Sequence, residues 1–501
     1  MSDPLSSLRE HLAPIEDLKS AAAVLAWDQE TFMPDGGGDA RAQQLSTLHS
    51  IAHERFASDT TGELLDRAAE ALDTTDALDD DASLVRVTRR DYERARRVPS
   101  SLVAELSKAT SQAQQAWKKA READDFSRFA PHLETLVDLS VEKAEAIGYD
   151  DEAYTALLEE YEPGRTTADV ATTFSALRDD LVPFVDAIAD APQIDNTVLR
   201  GSYSTEKQKT FGERVLDDLG YAFDRGRQDV SAHPFTTSFS RDDVRITTRY
   251  DTSFFPSAFF STIHEGGHAM YEQGIDPALE RTPLGDGASL SIHESQARLW
   301  ENHVARSRPF WEHYFPHLTE TFPDALGEME GETFYRAINR VEPSLIRVEA
   351  DEVTYNLHVM LRFELERDLI DGTLSVNDLP ARWNAAMDEY LGVVPDSDAN
   401  GVLQDVHWSM ASFGYFPTYT LGTLTAAQMV RAMEEDIPTL RAHVADGHFG
   451  PLLDWLRQHV HRHGRKLEAP DLLKRATGEA LTAGPWLRYA KNKFGALYGL
   501  R

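Results

Sequence analysis

Apolar residues recur at three- and four-residue spacing over most of the chain. Between residues 4 and 25, Leu5, Leu8, Leu12, Ile15 and Leu18 line one face of a helix. Segments 39–58, 82–97, 100–122, 126–148 and 166–189 are rich in Ala, Leu, Glu and Arg, which lose little side-chain freedom in a helix, and they predict five more. Breaks fall at Pro34 with Gly36 to Gly38, at Pro99, at Pro163-Gly164 and at Pro192. Further helices are expected near 255–275, 290–306, 343–370, 376–390, 424–434 and 470–480. One stretch departs from this period. Residues 235–250, FTTSFSRDDVRITTRY, alternate β-branched and aromatic residues around a Ser-Arg-Asp-Asp turn and predict a β-hairpin. The chain therefore reads as mostly α, with a small sheet beside one helix. Residues 1–200 and 201–501 differ in character, but no Gly/Ser- or Pro-rich linker parts them. Two subdomains in one continuous body are expected.

Composition removes several chemistries. The 501 residues include no cysteine, so thiol nucleophiles, disulfides and thiolate metal sites are excluded, and any metal site must use His, Asp and Glu. The formal net charge is -34. Such a field repels nucleic acid and anionic lipid, and neither is expected as a partner. The basic residues are 11 Lys and 39 Arg. An acid-rich, Lys-poor chain suits molar salt, where the Debye length is about 3 Å, and points to a halophile. The start shows no basic region followed by an apolar one. The longest early apolar run, Ala21 to Trp27, is far below the ~20 residues of a membrane span. A cytoplasmic location follows as the expectation.

The chemistry concentrates in Ser261 to Met270, STIHEGGHAM. His264 and His268 are four apart, so one helix face presents both imidazoles, and Glu265 follows the first. This is H-E-x-x-H, the zinc-peptidase signature. Gly266 and Gly267 inside the helix mark a close approach, either of another helix or of substrate. A catalytic zinc takes three protein ligands and keeps a fourth position open. The third is expected from SIHESQARLWEN, residues 291–302: Glu294 first, with His293 and Glu301 as rivals. Glu301 otherwise suits a role orienting a ligand histidine. His459, His461 and His463 lie among Arg457, Arg462 and Arg465 and read as a solvated basic patch. His313 and His317 have Pro316 between them, which is expected to disrupt a shared helical face.

Further blocks occur in order: His233-Pro-Phe235, Asp243-Val-Arg245-Ile-Thr247, HExxH at 264–268, His293-Glu294-Ser295-Gln296, Ile346-Arg347-Val-Glu-Ala350-Asp351, Gly401-Val-Leu-Gln404-Asp405-Val-His407-Trp408 and Gly414-Tyr-Phe-Pro-Thr-Tyr419-Thr-Leu-Gly422. Trp27-Asp28-Gln-Glu-Thr31-Phe-Met33-Pro34 adds one more. Together they resemble the M32 metallocarboxypeptidases of the thermostable carboxypeptidase Taq type over nearly the full length. One visible departure is Ala297 before Arg298, where the family pattern has Ser. The resemblance implies a neurolysin-like helical fold with a long active-site groove covered by the N-terminal subdomain. It also implies a homodimer, zinc with cobalt able to substitute, and removal of single residues from peptide C-termini with broad preference.

Roles follow for named residues. Glu265 is the expected general base. His407 and either Tyr415 or Tyr419 are candidate donors to the oxyanion, although each ring could equally be buried packing. The terminal carboxylate of a peptide calls for a guanidinium. Arg347, on an expected helix, and Arg245, in the hairpin, are the candidates; the competing readings are an ion pair with Glu349 or Asp351 for Arg347, and a solvated strand charge for Arg245. An oligoendopeptidase with the same zinc site, or a helical binding protein with a vestigial one, are the other functional readings.

Overall fold

The structure, a computed structural model, describes residues 3–500. It is 69% helical with one three-stranded sheet. Two compact units are defined. One comprises Met1–Ala95, Asn196–Ile338 and Met429–Ala480; the other comprises Arg96–Asp195, Asn339–Gln428 and Leu481–Arg501. Each draws on three separated stretches of chain.

In the first unit the opening helix runs Pro4–Thr31. Asp3 starts it by accepting a 2.9 Å hydrogen bond from the Ser6 amide, which satisfies one of the free donors of the first turn. Leu8, Leu12 and Ile15 are fully buried against Leu65, Ala68 and Leu84, as their spacing requires. The hairpin forms as expected, with β2 (Thr236–Ser240) antiparallel to β3 (Asp243–Thr248). The sheet has a third strand that the pattern does not announce. β1, Gly226–Val230, pairs in parallel with β3; its sequence GRQDV carries no apolar alternation. The helix Phe255–Gly274 packs against this sheet. Its N-terminal third buries Phe255, Phe259 and Phe260 among Phe211, Phe310 and Trp311.

Three expectations are corrected in this unit. His461 is not in a solvated patch: it is fully buried, and its Nε2 lies 2.9 Å from Gln296 Oε1. The chain leaves the helix Gly450–His459 and turns through a short 3₁₀ segment, His461–His463, which swings the middle histidine inward. Pro316 does not break the helix Arg308–Thr321, and the His313 and His317 rings stay 5.9 Å apart. The segment 290–306 is not one regular helix. It is α-helical over Leu290–Arg298 and π-helical over Leu299–Ala305.

The second unit is built on the helices Ser100–Ala123, Ala130–Ile147, Thr167–Ala189, Tyr355–Ile370, Leu379–Leu391 and Gly484–Tyr498. The helix expected from 343 begins only at Tyr355. Upstream, the Asp351 carboxylate accepts bonds from the amides of Glu342, Val353 and Thr354 and from the Thr354 hydroxyl. It thereby ties the chain into a loop instead of a helix. Among the described residues no helix is long and apolar enough to cross a membrane.

Candidate active site

The helix Phe255–Gly274 presents His264 and His268, and the helix Leu290–Arg298 brings Glu294 to them. Glu294 Oε2 lies 3.7 Å from Nε2 of each imidazole, and one ligand atom from each of the three residues falls within 4.8 Å of the others. The glycine pair explains how the helices approach. A Cβ on Gly267 would stand 2.7 Å from the Ala297 Cα and 2.8 Å from the Gln296 carbonyl oxygen, while one on Gly266 would collide with Leu216. The close approach is therefore helix against helix, and it carries Glu294 into reach of both histidines.

Each imidazole has its other nitrogen engaged. His264 Nδ1 lies 3.0 Å from Glu301 Oε2. Glu301 is held in turn by Arg298 at 3.3 Å and Arg306 at 3.2 Å. Although Glu301 is buried, these two guanidiniums and His264 hold its carboxyl far below the usual range. His268 Nδ1 lies 2.6 Å from His293 Nδ1, and His293 Nε2 lies 2.7 Å from Glu272 Oε1. An N–H on each ligand Nδ1 leaves each Nε2 with its lone pair toward Glu294. In their neutral tautomers the two imidazoles, together with one carboxylate and with side chains 18%, 16% and 8% exposed, make a His2Glu donor set that fits a zinc-like divalent ion.

Glu265 is buried beside the sheet. The Thr236 hydroxyl on β2 lies 2.7 Å from its carboxylate and 2.9 Å from its carbonyl oxygen. Burial pushes its carboxyl above the ordinary value, against the opposing pull of His264 and Thr236. Arg245, on β3, makes a two-pronged ion pair with Asp243 at 2.8 Å for each contact. Its guanidinium lies over the Trp27 ring at 4.3 Å and the Phe239 ring at 4.9 Å. Trp27 belongs to the early sequence block, so that block and the hairpin meet here.

In the second unit, Arg347 sits in the short turn Arg347–Glu349, not on a helix. It is 4% exposed. Its ion-pair partner is neither Glu349 nor Asp351 but Asp405: Nε and Nη2 donate to Asp405 Oδ1 at 3.0 and 2.7 Å, and Nη1 donates to the Tyr355 hydroxyl at 2.8 Å. Three of its five N–H donors are committed in this way. Arg362, fully buried, donates to the other Asp405 oxygen at 2.6 Å. Although burial opposes ionisation, the two guanidiniums hold the Asp405 carboxyl far below its usual range. His407 Nε2 lies 3.2 Å from the Tyr419 hydroxyl, and its ring is 5.2 Å from that of Tyr415. Burial, then the positive field of Arg347, pushes His407 down to about 3, so the imidazole is neutral.

Several groups that hold these residues are not announced in that role by the sequence motifs. Thr236, Arg306, Asp405, Arg362 and the pairing of His293 with Glu272 were not foreseen. Glu272 carried a signal, since His264, His268 and Glu272 follow one another at four-residue steps on one helix face.

A metal-ready H-E-x-x-H helix joined by a carboxylate from a second helix, in a mostly helical fold with a small sheet, defines a metallopeptidase. The model of the carboxypeptidase Taq (M32) metallopeptidase family matches residues 7–494. The chain belongs to that family and is a metallocarboxypeptidase. It is 44% identical over 493 residues to thermostable carboxypeptidase 1 of Thermus thermophilus, covering 96% of each chain. It is 40% identical to carboxypeptidase 1 of Bacillus subtilis, covering 97% of each. The M32 carboxypeptidase structure from Deinococcus radiodurans superimposes with a TM-score of 0.97 at 44% identity, over 99% of this chain and 100% of that one.

Proposed function

We propose that the protein removes single amino acids from the free C-termini of peptides, with broad preference, using zinc held by His264, His268 and Glu294, and with cobalt able to substitute. The observation that carries this is the convergence of those three donors beside a buried Glu265 whose carboxylate is held by Thr236. Bound there, the metal supplies Lewis acidity, polarising a carbonyl and making water easier to deprotonate. Glu265 takes the proton of the attacking water and returns it to the leaving amine, a task suited to a carboxyl raised by burial. His407, kept neutral, and Tyr415 or Tyr419 donate to the developing oxyanion. Arg347 uses its two uncommitted N–H groups on the substrate carboxylate, with Arg245 as the second candidate. The reading includes a homodimer in a salt-rich cytoplasm, supported by the family resemblance and the acidic composition.

The test is to incubate the purified zinc-loaded chain with an unblocked peptide and with its C-terminally amidated twin, and to follow products by mass. Stepwise shortening of the free peptide alone is expected. Cuts inside the amidated peptide would replace this reading with an oligoendopeptidase, and no cleavage of either would leave a binding protein.

A further inference from the structure

Glu366 is a buried carboxylate that no sequence block contains. It lies on the helix Tyr355–Ile370 and is completely buried. Its Oε1 accepts a hydrogen bond from Trp408 Nε1 at 2.9 Å; its Oε2 accepts from the Gly414 amide at 3.0 Å and from the Tyr154 hydroxyl at 2.6 Å. Trp408 is the residue after His407, and Gly414 is the residue before Tyr415. One carboxylate thus joins the two segments that supply the polar groups assigned above to the oxyanion. Gly414 has φ +89°, and a Cβ there would stand 2.8 Å from the Leu158 amide nitrogen. The segment is therefore pressed against its support in a conformation that suits only glycine.

One helical turn earlier, Arg362 holds Asp405 on the same run of chain. Among the described residues Arg347 and Arg362 both pair with Asp405 and with no second carboxylate, which leaves one positive charge in excess. Glu366 lies one helical turn from Arg362, whose positive field adds to the pull of Tyr154, Gly414 and Trp408 toward the charged form, against burial. The other titratable groups facing Glu366 are Tyr154 and Tyr161, both held neutral by burial.

We propose that Glu366 is a positioning residue of the reaction, a two-oxygen clamp that keeps His407 in register with Tyr415 and Tyr419. The proposal rests on the functional reading above. A carboxylate offers one acceptor oxygen to each segment. An amide offers only one in total, so Gln at this position can keep Trp408 or Gly414 but not both. Protonation loosens the same clamp, because the acid's hydroxyl oxygen is a weaker acceptor than a carboxylate oxygen. Burial raises the Glu366 carboxyl to about 7, against the pull of Tyr154, Gly414 and Trp408.

The test is Glu366→Gln in the full-length, zinc-loaded chain. Metal content should match wild type, and backbone hydrogen exchange over residues 406–416 should accelerate. At pH 8 kcat should fall about tenfold, the weight of one lost hydrogen bond to a charged acceptor, with KM changed less than about twofold. The difference should close as pH falls below about 7, because the protonated wild type then resembles the variant. Unchanged exchange over 406–416, or a kcat deficit that stays constant with pH, overturns the proposal. Tyr154→Phe provides a second route if Glu366→Gln does not fold: losing this donor raises the carboxyl further and should move the acid limb of kcat to higher pH, and an unmoved limb counts against the clamp. A wild-type chain that releases no C-terminal residue would refute the functional reading instead, and hydrogen exchange would then decide the clamp by itself.

Discussion

Nδ1 of His268 and Nδ1 of His293 lie 2.6 Å apart, a distance at which the two rings share one proton. Glu272, 2.7 Å from the far nitrogen of His293, places a proton on that nitrogen. In its neutral form His293 then accepts at Nδ1 and His268 donates, which leaves the Nε2 lone pair of His268 for a metal. A residue that reads as a rival ligand thus sets the tautomer of a ligand.

His293→Ala should therefore weaken metal binding without abolishing it. Loss of such outer partners lowers metal affinity by about 10–100-fold. Competition against a chelator of known affinity measures this, with Glu294→Ala, expected to lose more, as the reference. Wild-type affinity in His293→Ala would show that the relay does not orient His268.

Glu265→Gln should retain metal and lose turnover by about 10²–10⁴-fold, the usual weight of a general base. Metal content by mass spectrometry and kcat on an unblocked peptide decide it. Substantial residual turnover in a metal-loaded variant would move the base elsewhere.

Arg347 is both a candidate carboxylate ligand and half of a buried ion pair. Removing one partner of such a pair costs about 3–5 kcal/mol, so Arg347→Ala should lower the melting temperature. Arg347→Lys keeps the charge and loses the planar fork; it should retain most stability and lose about ten- to a hundredfold in kcat/KM on free-carboxylate peptides. The loss should be much smaller on amidated ones. Equal losses on both would confine Arg347 to the Asp405 pair and pass carboxylate recognition to Arg245.

His461 gives a pH prediction. Burial, then the field of Arg457, lowers it to about 3, below the roughly 6.5 of a free imidazole in the unfolded chain. Between those values the unfolded chain binds the extra proton, and stability must fall as pH drops from about 6.5 toward 3. Thermal melts of wild type and His461→Gln across that range should converge in acid. Parallel curves would mean that His461 is protonated in place.

The charge of -34 predicts a stability that rises with salt. Screening shortens the reach of self-repulsion from about 10 Å at 0.1 M to about 3 Å at 1 M. A melting midpoint that is flat or falling between those salt concentrations would remove the halophile reading.

Local rules made much of this protein legible in its sequence. A helix turns every 3.6 residues, so the spacing of His264 and His268 alone put both imidazoles on one face. Leu8, Leu12 and Ile15 marked their buried stripe in the same way, and the alternation around Ser240 to Asp243 marked the hairpin. Tertiary structure decided the rest. Arg347 meets Asp405, 58 residues on, and not its sequence neighbours. His461 reaches Gln296 across 165 residues, although its flanking arginines look like a wet surface. Glu366 reads as one more charge on a helix until Tyr154, Trp408 and Gly414 close over it. Helical periodicity fixes which face a charged residue occupies, but whether that face meets water or a distant partner depends on chain folded from far away, and a one-dimensional pattern carries no record of it.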